Sequence, residues 1–175
     1  FYEPNKRQTQ TESEFRLTIN PESKNKMQNR IYSFDDTGNA ERLRDLYGDI
    51  LRYSYIDKKW LFYHEGKWNY DNIGYSRRLA DVSVELMKEE QLLCAERDQQ
   101  TGGDMEKNFL KHLKKSRSFS GKTNMLHEFE HYDPVIPAML DRNKQVLNCK
   151  NGIVNLRTGE LLPHDKKALI TKITR

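Results

Sequence analysis

A chain of 175 residues suits one modest domain, or one domain and a tail. A hydrophobic share of 35%, a charged share of 32% and a mean hydropathy of −0.96 leave material for only a small core. The net charge of +4 and pI near 8.9 permit a polyanionic partner only where the positive charge is clustered.

Cys94 and Cys149 form neither a CxxC pair nor a dense framework, which points to a reducing cytoplasm without a required disulfide. No apolar run approaches the ~18 residues of a membrane span, and no signal peptide is visible. The chain opens on Phe1 without an initiator Met and stops at "TKITR", so a piece of a longer protein is expected.

Residues 1–33 are mostly polar, with an apolar island at Phe15, Leu17 and Ile19, and read as a linker or a partly ordered tail. From Asp36 the order changes. Asp36, Thr37 and Asn39 offer capping oxygens, Leu43, Leu46, Tyr47 and Ile50 recur at helical spacing, and Gly48 marks the end of that helix. Residues 51–70 switch to aromatic and β-branched types with Asp57-Lys58 and Glu65-Gly66 as two-residue turns, which predicts a three-strand meander. In it Trp60 and Phe62 share one face while Leu61 and Tyr63 share the other, and both faces are expected to be at least partly covered.

A helix capped by Ser76 then carries Leu79, Val82, Leu86 and Leu93 on one stripe, and "TGGD" at 101–104 interrupts the chain. A second helix starts at Met105 and is expected to run, kinked at Gly121, to Tyr132, where Pro134 and Pro137 stop it. The stretch 146–165 reads as three strands joined by turns at Asn151-Gly152 and Thr158-Gly159. The fold class expected is α+β: helices packed with two small antiparallel β units, in a single compact domain over residues 34–175 behind a polar N-terminal tail.

"HEFEH", His127 to His131, has the spacing at which a helix in zinc peptidases presents two imidazoles and a general base. At about 100° per residue, Met125, Phe129 and Tyr132 fall within roughly 60° of one another, while His127 and His131 lie about 200° and 240° round from Met125. A core-facing apolar stripe would therefore turn both histidines to solvent, so a zinc hydrolase is only a remote alternative. "SGKT", Ser120 to Thr123, resembles the tail of a phosphate-binding loop, but the glycine required five residues before the Gly-Lys pair is Ser116. Asp35-Asp36 is better explained as a helix cap than as a metal pair.

Lys107, Lys111, Lys114, Lys115, Arg117 and Lys122 occur with no acid among them, and all but Arg117 follow a spacing that gathers side chains on one helix face. Arg77 and Arg78, at the start of the preceding helix, extend this set. Such a stripe can track phosphates with salt-sensitive affinity; the alternative is an ordinary solvated face. Trp60, Trp68, Tyr53 and Tyr55 can stack on bases, yet in a short hairpin they more often build the core.

Two ordered blocks, "DDTGNAERLRDLYGDILRYSYIDKKWLFYHEGKWNYD" and "LNCKNGIVNLRTGELLPHDKKALITKIT", resemble the domain just upstream of the superfamily 3 helicase in phage, plasmid and poxvirus-type DNA primase-helicases. The resemblance covers roughly residues 34–175 and rests on Gly38, Asn39, Ala40, Tyr47, Gly48, Arg52, Tyr53, Trp60 and Trp68 in the first block. In the second it rests on Asn151, Gly152, Leu156, Thr158, Gly159, Leu161, Pro163, His164, Ile170, Thr171 and Lys172.

The resemblance implies an accessory domain that assembles or couples a helicase ring and guides DNA, hexameric in the parent protein, with helicase and primase domains as its neighbours. Purely protein–protein oligomerisation without DNA contact is the alternative. No phosphate-binding loop, Walker B carboxylate, arginine finger or primase metal carboxylate is recognisable, so no catalytic residue, metal or cofactor is assigned to this chain. ATP and Mg are expected only in the parent's helicase domain. The implied location is the cytoplasm of the cell that hosts a phage, plasmid or other mobile element, with DNA of weak sequence preference as partner and no membrane.

Overall fold

The computed structural model describes Glu22, Lys24, Asn25 and residues 29–174. Most of the expected tail, including the island at Phe15, Leu17 and Ile19, lies outside the described residues. From Arg30 onward the chain is packed: Tyr32 is 3% exposed, and Arg30 pairs with Glu41 at 2.6 Å and Asp45 at 3.2 Å.

Helix α1, Asp36–Tyr47, begins where Asp35 accepts a hydrogen bond from the Gly38 N–H at 2.7 Å, which satisfies one of the unpaired donors of the first turn. Its Ala40, Leu43, Leu46 and Tyr47 are buried. An antiparallel meander follows, β1 Leu51–Ser54, β2 Lys59–His64 and β3 Lys67–Tyr70, in the order β1-β2-β3. Glu65 and Gly66 both take positive φ, 49° and 78°, as a two-residue hairpin turn requires. The first turn is longer than expected, spanning 55–58, because the Ser54 hydroxyl accepts the Asp57 N–H and ends the strand early.

Period-two alternation decides what each face of this sheet meets. Phe62 and Trp60 face the helices, in the main core with Leu51, Tyr75, Leu79 and Phe129. Leu61, Tyr63, Trp68 and Tyr70 face the other way, onto Val135, Leu140 and Leu169. The edges are covered as well: the Val135 N–H donates to Tyr53 O at 2.9 Å, and the Trp68 N–H donates to Ile170 O at 2.8 Å.

The helical half departs from expectation twice. Instead of one helix through Leu93, α2 Tyr75–Leu86 runs into a 3-10 turn at Met87–Glu89 and then α3 Glu90–Thr101. Ser76 is not the cap; Asp71 is. Its carboxylate accepts the Ile73, Tyr75 and Ser76 N–H groups and the Ser76 hydroxyl, so although burial works against its charge, these bonds hold the carboxyl below its ordinary range. The second departure is a break where a kinked helix was expected: α4 Met105–Ser116 ends at Arg117, and α5 Phe119–Phe129 starts afresh with Ser118 accepting the Gly121 N–H at 3.0 Å.

A second antiparallel sheet, β4 Val146–Cys149, β5 Gly152–Asn155 and β6 Leu161–Leu162, completes the α+β architecture. Cys149 pairs with Gly152, which moves the turn one residue earlier than expected, to Lys150-Asn151. Gly152 is then a strand residue with φ 148°, and a Cβ there would run into the Leu162 carbonyl of β6. Asn148 ties this sheet to the first, donating to Gly66 O at 3.0 Å and Lys172 O at 2.9 Å.

Inside the helical half lies a polar network. Arg42 on α1 makes a fork to Glu90 on α3, Nε to Oε1 at 2.7 Å and Nη2 to Oε2 at 2.8 Å, with side chains 0% and 1% exposed. Nη1 donates to Ser33 O and Asn39 Oδ1, and Asn39 in turn donates to Ser116 Oγ at 2.9 Å and lies 2.9 Å from His112 Nε2 on α4. Burial pushes the Glu90 carboxyl up while the Arg42 fork pulls it the other way. Burial, reinforced by Arg42, pushes the His112 imidazole down to about 4, so at neutral pH Nε2 donates to Asn39 as a neutral ring.

Glu90→Ala leaves a buried guanidinium without its partner and is expected to destabilise the fold by about 3–5 kcal/mol, read by urea unfolding, whereas Arg42→Met with Glu90→Leu loses much less. For His112, the unfolded ring takes a proton near 6.5 and the folded ring only near 4. Its contribution, on the order of 3 kcal/mol, is complete above pH 6.5 and is lost as pH falls toward 4. His112→Gln should therefore lack the part of the acid-side loss of stability that the wild-type chain shows between those pH values.

Candidate nucleic-acid interface

On α4 the apolar and basic residues separate cleanly. Phe109, His112, Leu113 and Ser116 are buried, whereas Lys107, Lys111, Lys114 and Lys115 are exposed within an arc of about 100° on the opposite side. None of these four lysines forms an ion pair among the described residues.

Other members of the expected set are placed differently. Because the helix breaks at Arg117–Ser118, Lys122 belongs to α5 and does not continue the stripe. It pairs with Asp81 at 2.5 Å, and Arg117 pairs with Glu85 at 3.6 Å. Arg77 donates to Thr123 Oγ1 at 3.0 Å and to Phe119 O at 3.2 Å. Arg77, Asp81 and Glu85 are successive i, i+4 positions of α2, so one stripe of that helix is zipped along the α4–α5 corner. These three basic residues hold helices together; Arg78 remains exposed on the first turn of α2.

Phe119, which composition and spacing did not single out, is 78% exposed at this corner, with the Arg77 guanidinium 4.5 Å from its ring centre. The signal for it was an aromatic set among basic and small polar residues in "KKSRSFSGK". The other candidate stackers are mostly inside. Trp68 is 2% exposed, and Trp60 packs between Tyr53, at 5.0 Å, and Phe129, at 5.8 Å. Tyr55 is half exposed, its ring edge on Tyr53.

The family model described as D5 N terminal like matches residues 40–175, well over half of the chain. The chain belongs to the D5 N-terminal-like family. This is the domain found N-terminal to the superfamily 3 helicase in primase-helicases, and a primase-helicase-associated domain is what the chain is. No curated protein matches it. None of the helices described in this D5 N-terminal-like domain is long and apolar enough to cross a membrane.

The remaining motifs of the D5 N-terminal-like domain take structural places. Helix α5 ends at Phe129, so His131 lies beyond it and the helical pairing that a zinc site needs is not formed. Both histidines are exposed; His127 lies 3.4 Å from Glu130, and His131 packs on Tyr132. Among the described residues no group of three His, Cys, Asp or Glu is placed to hold a metal ion. "SGKT" forms the first turn of α5 rather than a phosphate-cradling loop, and Gly121 is there for space: a Cβ would stand 2.5 Å from the Lys115 carbonyl of α4. Gly121→Val should therefore open the α4–α5 corner and lower stability by about 1–3 kcal/mol, measured by thermal unfolding.

Proposed function

We propose that this domain guides DNA between the primase and helicase parts of a replicative primase-helicase, using the exposed face of α4. The observation that carries this reading is the set of Lys107, Lys111, Lys114 and Lys115, on one arc and without an ion pair among the described residues, while neighbouring Arg117 and Lys122 are bound to α2 and Arg77 of α2 is bound to α5. Ammonium groups spaced along one face contact phosphates without reading bases, which gives salt-sensitive binding of weak sequence preference. Phe119, exposed beside Arg77 where α5 begins, adds an open ring on which an unstacked base can lie, and this favours single-stranded DNA along the face.

In this reading ATP and Mg act in the helicase domain of a hexameric parent protein from a phage, plasmid or other mobile element. The chain itself orders the strand and does not cut, join or unwind it. A second role is favoured by the outer face of the second sheet, where Leu147 and Leu161 stand 44% and 49% exposed on the side away from Asn148. An apolar patch of that kind suits contact with an adjoining domain or another copy of the chain.

Reversal of two charges, Lys114→Glu with Lys115→Glu, should weaken binding of labelled single-stranded DNA by about tenfold or more at low salt and reduce the salt dependence, as read by fluorescence anisotropy. Phe119→Ala should weaken it by several fold on the order expected for one lost stacking contact. Binding unchanged by the lysine reversal would leave α4 as a solvated face and the domain as an assembly module.

A further inference from the structure

Positive charge is unevenly shared along the chain. Residues 142–175 hold eight Lys and Arg against two Asp and Glu, a net +6, whereas residues 1–141 hold 22 against 24, a net −2. The α4 stripe is thus a local feature of a body that is otherwise slightly acidic, and the net positive charge belongs to residues 142–175, which hold the second sheet and the segment after it.

The seam where that unit meets the first sheet is open. Two clefts, of about 590 Å³ and about 540 Å³, share His164 as a common wall. Lys67 and Lys150 line the first; Arg52, Lys166 and Lys167 line the second. Arg52 turns inward to the Gly48 and Leu51 carbonyls, and Lys166 pairs with Asp49. Lys67, Lys150 and Lys167 form no ion pair among the described residues. Asp165 caps the turn of Lys167 through its N–H at 2.9 Å, and Glu65, exposed at the rim of the first cleft, is among the described residues the one carboxylate on that side against Lys67 and Lys150.

What the seam lacks is as informative as what it holds. Residues 142–175 contain no Phe, Tyr or Trp, and Trp68, which borders the second cleft, is buried with its Nε1–H given to Lys166 O at 2.8 Å. Unstacked bases bind by lying on open rings, so a seam of ammonium groups without one is suited to a backbone whose bases are already paired. A protein partner would be anchored on desolvated apolar side chains at the centre of its interface. The exposed Leu147 and Leu161 lie on the opposite side of the second sheet from Asn148, which is the residue that meets Gly66 at the seam.

We propose that this seam is a second nucleic-acid surface, separate from α4, which holds the phosphate backbone of duplex DNA through Lys67, Lys150 and Lys167. With single-stranded DNA on α4 and Phe119, the domain then carries both forms that meet at a replication fork. The fork arrangement rests on the α4 reading; the duplex surface does not.

The test is fluorescence anisotropy of the full chain with a labelled duplex of about 20 base pairs and a single strand of the same length, each across a salt series. Lys150→Glu with Lys167→Glu, both in exposed turns, should weaken duplex binding about tenfold, lower the slope of log affinity against log salt by about 2, and leave single-strand binding within about twofold. Should that variant melt early, Lys150→Gln with Lys167→Gln is read instead, with about a threefold loss for duplex expected. Unchanged duplex binding overturns the inference, as does equal loss for both polymers. Competition by poly-glutamate as effective as that by unlabelled duplex would also overturn it, and would assign the seam to an acidic protein segment. Insensitivity of single-strand binding to Lys114→Glu with Lys115→Glu defeats the α4 reading and leaves this one standing.

Discussion

The Arg42–Glu90 fork is the constraint on which the helical half depends. Two opposite charges with essentially no exposure are tolerable only when nearly every donor and acceptor is matched, because desolvation of each costs several kcal/mol. Meeting that condition fixes geometry. Arg42 must face the start of α3, Asn39 must lie one turn away to receive Nη1, and Ser116 and His112 must come from α4 to complete Asn39. Residues far apart in sequence are thereby held in one register, and the 3-10 turn at Met87–Glu89 is what brings Glu90 to that position. Apolar packing alone would allow α1, α3 and α4 to slide; a buried fork with directional partners does not.

The first sheet solves a different problem. A three-strand meander of four to six residues per strand has two faces and two edges to protect, and each is covered by a separate stretch of chain. The helices take one face. Val135, Leu140 and Leu169, contributed by the chain after α5, take the other, and the backbone around Val135 and Ile170 meets the edges. The segment that covers the sheet is also the one that carries the excess positive charge, so the seam beside it becomes a basic surface as a by-product of covering a core.

The chain is a member of the D5 N-terminal-like family, a primase-helicase-associated domain. Basic residues are divided by role. Those facing α2 join helices, and those facing outward on α4 form no ion pair among the described residues. Proximity in sequence does not separate these roles, since Lys115 and Arg117 are two residues apart and yet belong to different groups.

Local chemistry determined much of this protein by itself. The alternation of Trp60, Leu61, Phe62 and Tyr63 set which side chain faces which layer, the Glu65-Gly66 pair set a hairpin turn, and the apolar spacing on α1 and α4 set their buried faces, because each depends only on neighbours within a few residues. Where helices begin and end was less legible. Asp71 replaces Ser76 as a cap and Ser118 starts a new helix, since several nearby residues can offer an oxygen and only packing selects one. Tertiary structure alone decided the ion pairs across helices, the fate of Arg77, Arg117 and Lys122, the exposure of Phe119 and the opening of the seam at His164. Each of these is a distance between residues tens of positions apart, and no period or motif in the chain encodes such a distance.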